Sequence, residues 1–306
     1  MTGLERRRAS LPAGDMAYLD EGNGPAVVLL HGFPTSSHLW RDLVPVLAPR
    51  FRAIAPDLLG YGDSAKPIDP AGLTVTAQAA AVRELLRELD VDDAAVIGHD
   101  IGGGVAQLLA FEGGVRTMVL ADSISLDSWP IDAVKMIAGA SDDDVTEDFA
   151  VDVARLAFEI GMSQRGRLAE EDLEEYLRPW RNDPKALVRA ARAIDGAGLV
   201  GSEDRLRGLE QRVLVVWGED DPYQPAEWAE RLGALLPGST VALLPGCGHF
   251  VTEDAPESVI QLIAGYLQTH ELGGHAHTGP TPVELGVSFE RPSGPSVPEG
   301  FQEEEG

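Results

Sequence analysis

Gly98-His99-Asp100-Ile101-Gly102 decides the fold of this chain. It has the spacing of a Gly-x-Ser-x-Gly nucleophile turn, with aspartate in the serine position. Ala94-Ala95-Val96-Ile97 before it reads as a short buried strand. Gly102-Gly103-Gly104-Val105-Ala106-Gln107-Leu108-Leu109-Ala110 after it reads as the start of a helix. Strand, sharp turn and helix form the context in which such a pentapeptide works. The turn is tight, so its flanking residues must be small. It exposes one side chain above the strand end and aims the next residue's N–H at the reacting atom. The aspartate selects the chemistry. A serine oxygen that attacked a saturated carbon would leave an ether, which ordinary hydrolysis does not release. An aspartate leaves an ester, which an activated water can cleave.

Outward from this turn, apolar runs alternate with helical patterns. Met16 to Asp20 and the segment around Arg8 read as two opening strands, with Gly14-Asp15 as their turn. Ala26-Val27-Val28-Leu29-Leu30 is a continuous apolar run ending in His31-Gly32-Phe33-Pro34. Phe51-Arg52-Ala53-Ile54-Ala55-Pro56-Asp57 is a further strand, followed by Gly60-Tyr61-Gly62. A helical pattern covers 76–89. Thr117-Met118-Val119-Leu120-Ala121-Asp122, Arg212-Val213-Leu214-Val215-Val216-Trp217 and Thr240-Val241-Ala242-Leu243-Leu244 complete the strands, with helices at 226–236 and 257–267. Continuous β-branched runs separated by helices predict a parallel sheet covered on both faces, hence a doubly wound α/β fold.

Between 125 and 206 the alternation stops. The stretches 148–160, 170–177 and 184–194 all carry helical apolar spacing. The expected organisation is a core built from 1–124 and 207–269, with a helical cap at 125–206 inserted over the strand ends. From 270 onward glycine, proline and acidic residues dominate, which predicts a disordered acidic tail. His270, His275 and His277 lie there with loose spacing, and they are expected to be solvated rather than metal-bound.

The chain has 306 residues and a net charge of −26, with lysine only at 66, 135 and 185. Like charge repels, so nucleic acid and anionic membrane surfaces are not the expected partners. The acidity fits either a solvated coat suited to high salt or a lysine-poor proteome. The single cysteine, Cys247, allows no intrachain disulfide, which suits a reducing cytoplasm. Residues 1–15 carry Arg6-Arg7-Arg8 without an apolar run behind them, so no signal peptide is expected. Oligomeric state leaves no trace in composition.

Three signals sit at the ends of predicted strands, where open α/β sheets bind ligands. They are the Asp100 turn, Gly218-Glu219-Asp220-Asp221 and Gly246-Cys247-Gly248-His249-Phe250. Their order is nucleophile, acid, histidine. With His31-Gly32-Phe33-Pro34 and Asp57-Leu58-Leu59-Gly60-Tyr61-Gly62-Asp63-Ser64, these motifs make the chain resemble an α/β-hydrolase with a helical cap. Within that superfamily it is similar to the aspartate-nucleophile branch, the epoxide hydrolases and haloalkane dehalogenases. The resemblance implies that Asp100 attacks carbon and that His249 activates the water that cleaves the ester. It implies an oxyanion hole from the backbone N–H groups of Phe33 and Ile101. It implies no metal and no cofactor. The orienting acid has two candidates: Asp221, favoured by its spacing after Gly218, and Asp122, at the end of the preceding strand. Asp57, Gly60, Gly62 and Ser64 read as structural.

The resemblance also ranks substrates. Haloalkane dehalogenases usually hold the departing halide with a tryptophan after the nucleophile and an asparagine in the oxyanion turn. Here Ile101 and Phe33 occupy those positions. Fluoroacetate dehalogenases carry arginines where this chain has Ile101 and Gly104. Epoxide hydrolases use cap tyrosines as acids, and the predicted cap contains Tyr176. Trp129 and Trp180 are further donors for a leaving group from the same region. The expected substrate is a small apolar or weakly polar molecule plus water. Epoxide hydrolysis ranks first, dehalogenation second, and a non-catalytic or biosynthetic binding protein of the same fold third.

Overall fold

The computed structural model describes residues 4–271 and a short strand at 288–290. Strands β1 (Arg6–Leu11) and β2 (Gly14–Glu21) form an antiparallel hairpin in which Leu11 pairs with Gly14. The turn is therefore Pro12-Ala13, and Gly14-Asp15, expected to make it, already belong to β2. Proline pre-sets the φ that the first central position of a turn requires. Next come β3 (Ala26–Leu30), β4 (Arg52–Pro56), β5 (Ala94–His99), β6 (Val115–Ala121), β7 (Arg212–Gly218), β8 (Thr240–Leu244) and β9 (Ser288–Glu290). Among the described residues they form one sheet in the order β1-β2-β4-β3-β5-β6-β7-β8-β9. The pairings from β4 through β3 and β5 to β8 are parallel.

The continuous apolar runs have a simple cause. Val28, Leu30, Val96, Met118 and Val215 face one core, and Val27, Leu29, Ile97, Val119 and Val216 face the other. Both faces are buried, so alternate positions cannot be polar. Helices α1 (Leu43–Leu47), α2 (Val75–Glu88) and α3 (Ile101–Glu112) cover the sheet from the N-terminal half. Between β6 and β7 the chain forms only helices: α4 (Asp132–Ala138), α5 (Glu147–Gly161), α6 (Glu170–Asn182), α7 (Pro184–Ala193) and α8 (Glu203–Arg207). After β7 come α9 (Glu227–Leu235), α10 (Val251–Asp254) and α11 (Pro256–Glu271). None of the helices is long and apolar enough to cross a membrane.

The expected tail begins too early at 270. Helix α11 runs through Glu271, whose carboxylate accepts from Arg116 Nε at 2.7 Å and Thr117 Oγ1 at 2.5 Å. These bonds to β6 hold the last turn in place. Residues 288–290 pair with the outer edge of β8 as β9. His275 and His277 lie outside the described residues.

The chain leaves β3 toward β4 on one side and leaves β5 toward β6 on the other. The loops after β3 and β5 thus part at the switch point where such sheets open a crevice. Gly98 is what lets β5 turn into α3. A Cβ there would stand 2.3 Å from the Gly102 carbonyl oxygen. The obstacle is backbone, so the clash cannot be relieved by a rotamer change. Gly98→Ala should therefore cost about 1–3 kcal/mol and lower the midpoint of thermal unfolding by several degrees, as followed by circular dichroism. An unchanged midpoint would refute this account of the turn.

Candidate active site

Asp100 has φ 52° and ψ −120°. Residues other than glycine rarely adopt this half of the map, and strain of this kind costs about 1–3 kcal/mol. Backbone bonds hold it there. The Asp100 carbonyl accepts from Gly103 N at 3.0 Å and Ile124 N at 3.2 Å, and the Asp100 N–H donates to Ala121 O at 3.2 Å. The side chain consequently stands above the end of β5. One carboxylate oxygen, Oδ1, accepts the Phe33 N–H at 2.8 Å. The Ile101 amide acts on the same carboxylate and, like that of Phe33, favours its charged form. The other oxygen, Oδ2, is buried with no hydrogen-bond partner.

The direction of the Phe33 N–H is set by the carbonyl of the same peptide. Gly32 O accepts from Thr35 N, Thr35 Oγ1 and His31 Nδ1, each at 2.9 Å. His31 Nε2 accepts the Leu58 N–H at 2.9 Å, which fixes the ring as a neutral tautomer with its proton on Nδ1. With the carbonyl held on one side, the N–H on the other must face Asp100. Gly32 is required because a Cβ there would lie 2.4 Å from Asp100 Oδ1.

His249 reaches the same point from the loop after β8. Its Nδ1 donates to Asp221 Oδ2 at 2.8 Å, and its Nε2 lies 3.7 Å from Asp100 Oδ2. Asp221 is itself oriented by the Tyr223 and Gln224 N–H groups, which donate to its other oxygen at 2.8 and 2.9 Å. The His249 backbone is held by its N–H on Gly161 O at 2.7 Å and by His99, whose Nε2 donates to His249 O at 2.9 Å. Burial pulls the His249 pKa down, but the Asp221 charge, its hydrogen bond and the Asp100 charge outweigh burial and leave it above the ordinary value. Burial raises the Asp100 carboxyl to about 6, against the opposing pull of His249 and the two amides. Above about pH 6 the site thus carries an ionised Asp100 beside an imidazole whose orientation is fixed by Asp221.

Asp122 does not touch His249. Its Oδ1 accepts the Gly218 N–H at 2.8 Å, and its Oδ2 has no partner. Burial and the neighbouring Asp221 charge push its pKa well up and favour its neutral form. Its contact is with the end of β7, the strand that leads to Asp221. Of the two candidate acids, only Asp221 meets the imidazole.

An apolar cavity of about 330 Å³ opens from this point toward α4 and α5. Phe33 and His249, which flank the Asp100 carboxylate, are among its walls, as is Trp129. The Trp129 Nε1–H is buried and unpartnered. Two expected substrate-binding residues are engaged elsewhere. The Tyr176 hydroxyl donates to Glu253 Oε1 at 2.5 Å, and the Trp180 Nε1–H donates to Pro34 O at 3.0 Å. Neither lines this cavity. Buried polar groups are generally hydrogen-bonded, and these partners lie in α10, which follows His249, and in the loop that carries Phe33. Tyr223, unremarked in the sequence, does line the cavity and stands edge-on to His249 with ring centres 5.2 Å apart. Its place two residues after Asp221, on the acid loop, was the available signal. Among the described residues, no cluster of three or more His, Cys, Asp or Glu side chains is arranged to hold a metal ion.

The sheet, the strained turn after β5 and the nucleophile–acid–histidine order define an α/β hydrolase. The alpha/beta hydrolase fold family matches residues 25–256, and the chain belongs to it. It is 32% identical over 282 residues to a soluble epoxide hydrolase of Corynebacterium sp., covering 85% of this chain and 96% of that one. It is 30% identical over 275 residues to haloalkane dehalogenase 2 of Mycobacterium tuberculosis, covering 85% and 94%. A solved α/β hydrolase fold protein from Burkholderia ambifaria superposes with a TM-score of 0.75 at 28% identity, covering 84% and 96%.

The geometry assigns the elevated His249 pKa to Asp221. Asp221→Asn should lower it below the ordinary histidine value, because burial then acts without its main counterweight. Asp122→Asn should move it less. Titration of the imidazole by nitrogen-15 NMR checks both, and a larger fall in the Asp122 variant would reverse the assignment.

Proposed function

We propose that this chain hydrolyses its substrate through an ester between Asp100 and a substrate carbon. The observation that carries this is the division of labour within one carboxylate. Oδ1 is held by the Phe33 amide at 2.8 Å, while Oδ2 is unpartnered. A free, charged oxygen in an apolar site is a strong nucleophile. Oδ2 attacks carbon, a carbon–oxygen bond forms, and the bond to the leaving group breaks. Oδ1 becomes the ester carbonyl and already sits on its amide donors. His249 Nε2 then takes a proton from a water that attacks the ester carbon. The oxyanion developing on Oδ1 is stabilised by the same amides. The ester bond breaks, the alcohol leaves with a proton, and Asp100 is regenerated.

The leaving group separates the two readings. In an epoxide the departing oxygen stays attached and must gain a proton. Tyr223 supports this reading, because its phenol lines the cavity and its proton is retained by burial and by Asp221. Its hydroxyl now donates to Ala157 O at 2.9 Å and would turn to the epoxide oxygen. The product is a diol. The second reading is a carbon–halogen bond, supported by the unpartnered Trp129 Nε1–H. An indole N–H can hold a halide but does not give up its proton. Epoxide opening remains first, since the cavity supplies both a phenol and an N–H. A carboxylate substrate is disfavoured, because no Lys or Arg is among the cavity walls. The helices between β6 and β7 serve as the cap, and the protein works in the cytoplasm on a small apolar or weakly polar substrate and water.

His249→Gln should accumulate the ester, seen by mass spectrometry as an adduct on the Asp100 peptide after incubation with an epoxide or a bromoalkane. Asp100→Asn should form none and lose turnover. An adduct on another residue, or full turnover in Asp100→Asn, would remove the nucleophile assignment. No product from either substrate class would favour a binding role.

Loss of a general acid costs about 10²–10⁴-fold. Tyr223→Phe should therefore reduce diol formation by at least about 10²-fold. Undiminished diol formation would exclude Tyr223 as the acid.

A further inference from the structure

We infer that Asp254 is a positioning residue for His249, fastening the histidine loop to the end of α5 so that the base is aligned for hydrolysis of the ester. This rests on the aspartyl-ester reading above and adds to it a residue that acts on the second step. Three observations lead to it.

The first is where the Asp254 side chain is spent. Asp254 ends α10 and is 2% exposed. Its place just before α11, which begins at Pro256, would suit a helix cap. Its hydrogen bonds go elsewhere. Oδ2 accepts the Gly248 N–H at 2.7 Å and the Ser163 N–H at 3.0 Å, and Oδ1 accepts the Gln164 N–H at 2.8 Å. Burying such a group is costly unless it is hydrogen-bonded, and here three backbone amides meet it. Gly248 immediately precedes His249, and Ser163 and Gln164 follow the end of α5. One side chain therefore bridges the histidine loop and the exit of that helix.

The second is the direct contact beside this bridge. The His249 N–H donates to the carbonyl of Gly161, the last residue of α5, at 2.7 Å. The consecutive amides of Gly248 and His249 are thus both tied to the same place, one through Asp254 and one directly. Two glycines permit the approach. A Cβ on Gly248 would stand 2.2 Å from Gly161 O, and one on Gly161 would stand 2.6 Å from the Phe250 ring. The Phe250 ring stacks on Phe158 of α5 with centres 4.6 Å apart.

The third is what else α5 does. Its residues Phe149, Val153, Leu156, Ala157 and Ile160 line the catalytic cavity. The helix that meets the substrate along its side thus carries the loop of the base at its end. Misplacing a catalytic group by 1 Å can cost about 10²-fold. The attack of Asp100 Oδ2 on carbon does not use His249, whereas the water that cleaves the ester gives its proton to His249 Nε2. A loosened histidine loop should therefore slow ester hydrolysis and spare ester formation.

The experiment is rapid quenching with 1,2-epoxyhexane and with 1-bromohexane, following the ester on the Asp100 peptide by mass spectrometry. Asp254→Asn sets an NH₂ donor against backbone N–H donors, so at least one tie is lost in either orientation of the amide. Ester formation should keep its rate, hydrolysis should slow by at least about tenfold, and esterified enzyme should accumulate. Ser163→Pro removes one donor N–H at an exposed position, after Met162, whose φ of −94° and ψ of 132° already suit a following proline. It should slow hydrolysis in the same direction and by less, and it carries the test if Asp254→Asn does not fold. The charges that raise the His249 pKa are those of Asp221 and Asp100, so the pH midpoint of ester hydrolysis should stay in place in both variants. Equal losses in both steps, unchanged hydrolysis or a displaced midpoint would overturn the inference. In those cases an adduct on Asp100 in His249→Gln with the same substrates shows that the aspartyl-ester reading still stands. Absence of any adduct in His249→Gln removes both.

Discussion

The hydrogen bond from the Phe33 N–H to Asp100 Oδ1, at 2.8 Å, ties the two halves of the site together. It joins the loop after β3 to the turn after β5 across the point where the sheet changes direction. It also makes the two oxygens of one carboxylate unequal. Much of the surrounding structure serves that single contact. Gly32 has no side chain because Asp100 occupies the space. Three donors fix the Gly32 carbonyl so that the next N–H cannot turn away. Buried His31 acts as a strut between that carbonyl and the Leu58 amide.

Electrostatics around this contact are demanding. Asp100, Asp122 and Asp221 are all buried within the same region, in a chain that is already strongly acidic. Each is accommodated by a different device. Asp221 meets two backbone amides and the imidazole. At Asp122, burial beside another carboxylate disfavours a second charge and pushes the pKa well up. Asp100 gives one oxygen to the Phe33 amide and faces His249, and burial outweighs these contacts, raising its pKa to about 6. A buried charge left without such partners would cost several kcal/mol.

Helix α6 connects the loop after β3 with the segment after β8. Tyr176 and Trp180 lie one turn apart on its buried face. Tyr176 joins Glu253, which also receives both terminal nitrogens of Arg41 at 2.7 Å, just beyond His249. Trp180 joins Pro34, beside Phe33. Aromatic contacts of Trp180 with Phe33 and Tyr61 add to the second tie. These two side chains suggested substrate donors because they are polar-tipped aromatics in the inserted helices. Their hydrogen bonds instead tie α6 to Glu253 and Pro34.

The sequence by itself determined the sheet, because residues buried on both faces must be continuously apolar and such runs are visible without coordinates. It also located Asp100, His249 and the Phe33 turn, since each lies at a strand end where small residues surround a reactive one. Local pattern failed where a distant partner decides. Composition alone starts the tail at 270, because it carries no sign of the bonds that Arg116 and Thr117, far back in the sequence, make to Glu271. Helices α4 and α8, of 7 and 5 residues, are too short to display a period. Only the tertiary structure shows which of Asp221 and Asp122 meets the imidazole: both follow strands, and Asp221 is the one within hydrogen-bond distance of His249. Only it exchanged Tyr176 for Tyr223 as the phenol beside the cavity. Spacing along a chain can place a side chain on a helix or loop, but its hydrogen-bond partner comes from packing between segments far apart in sequence.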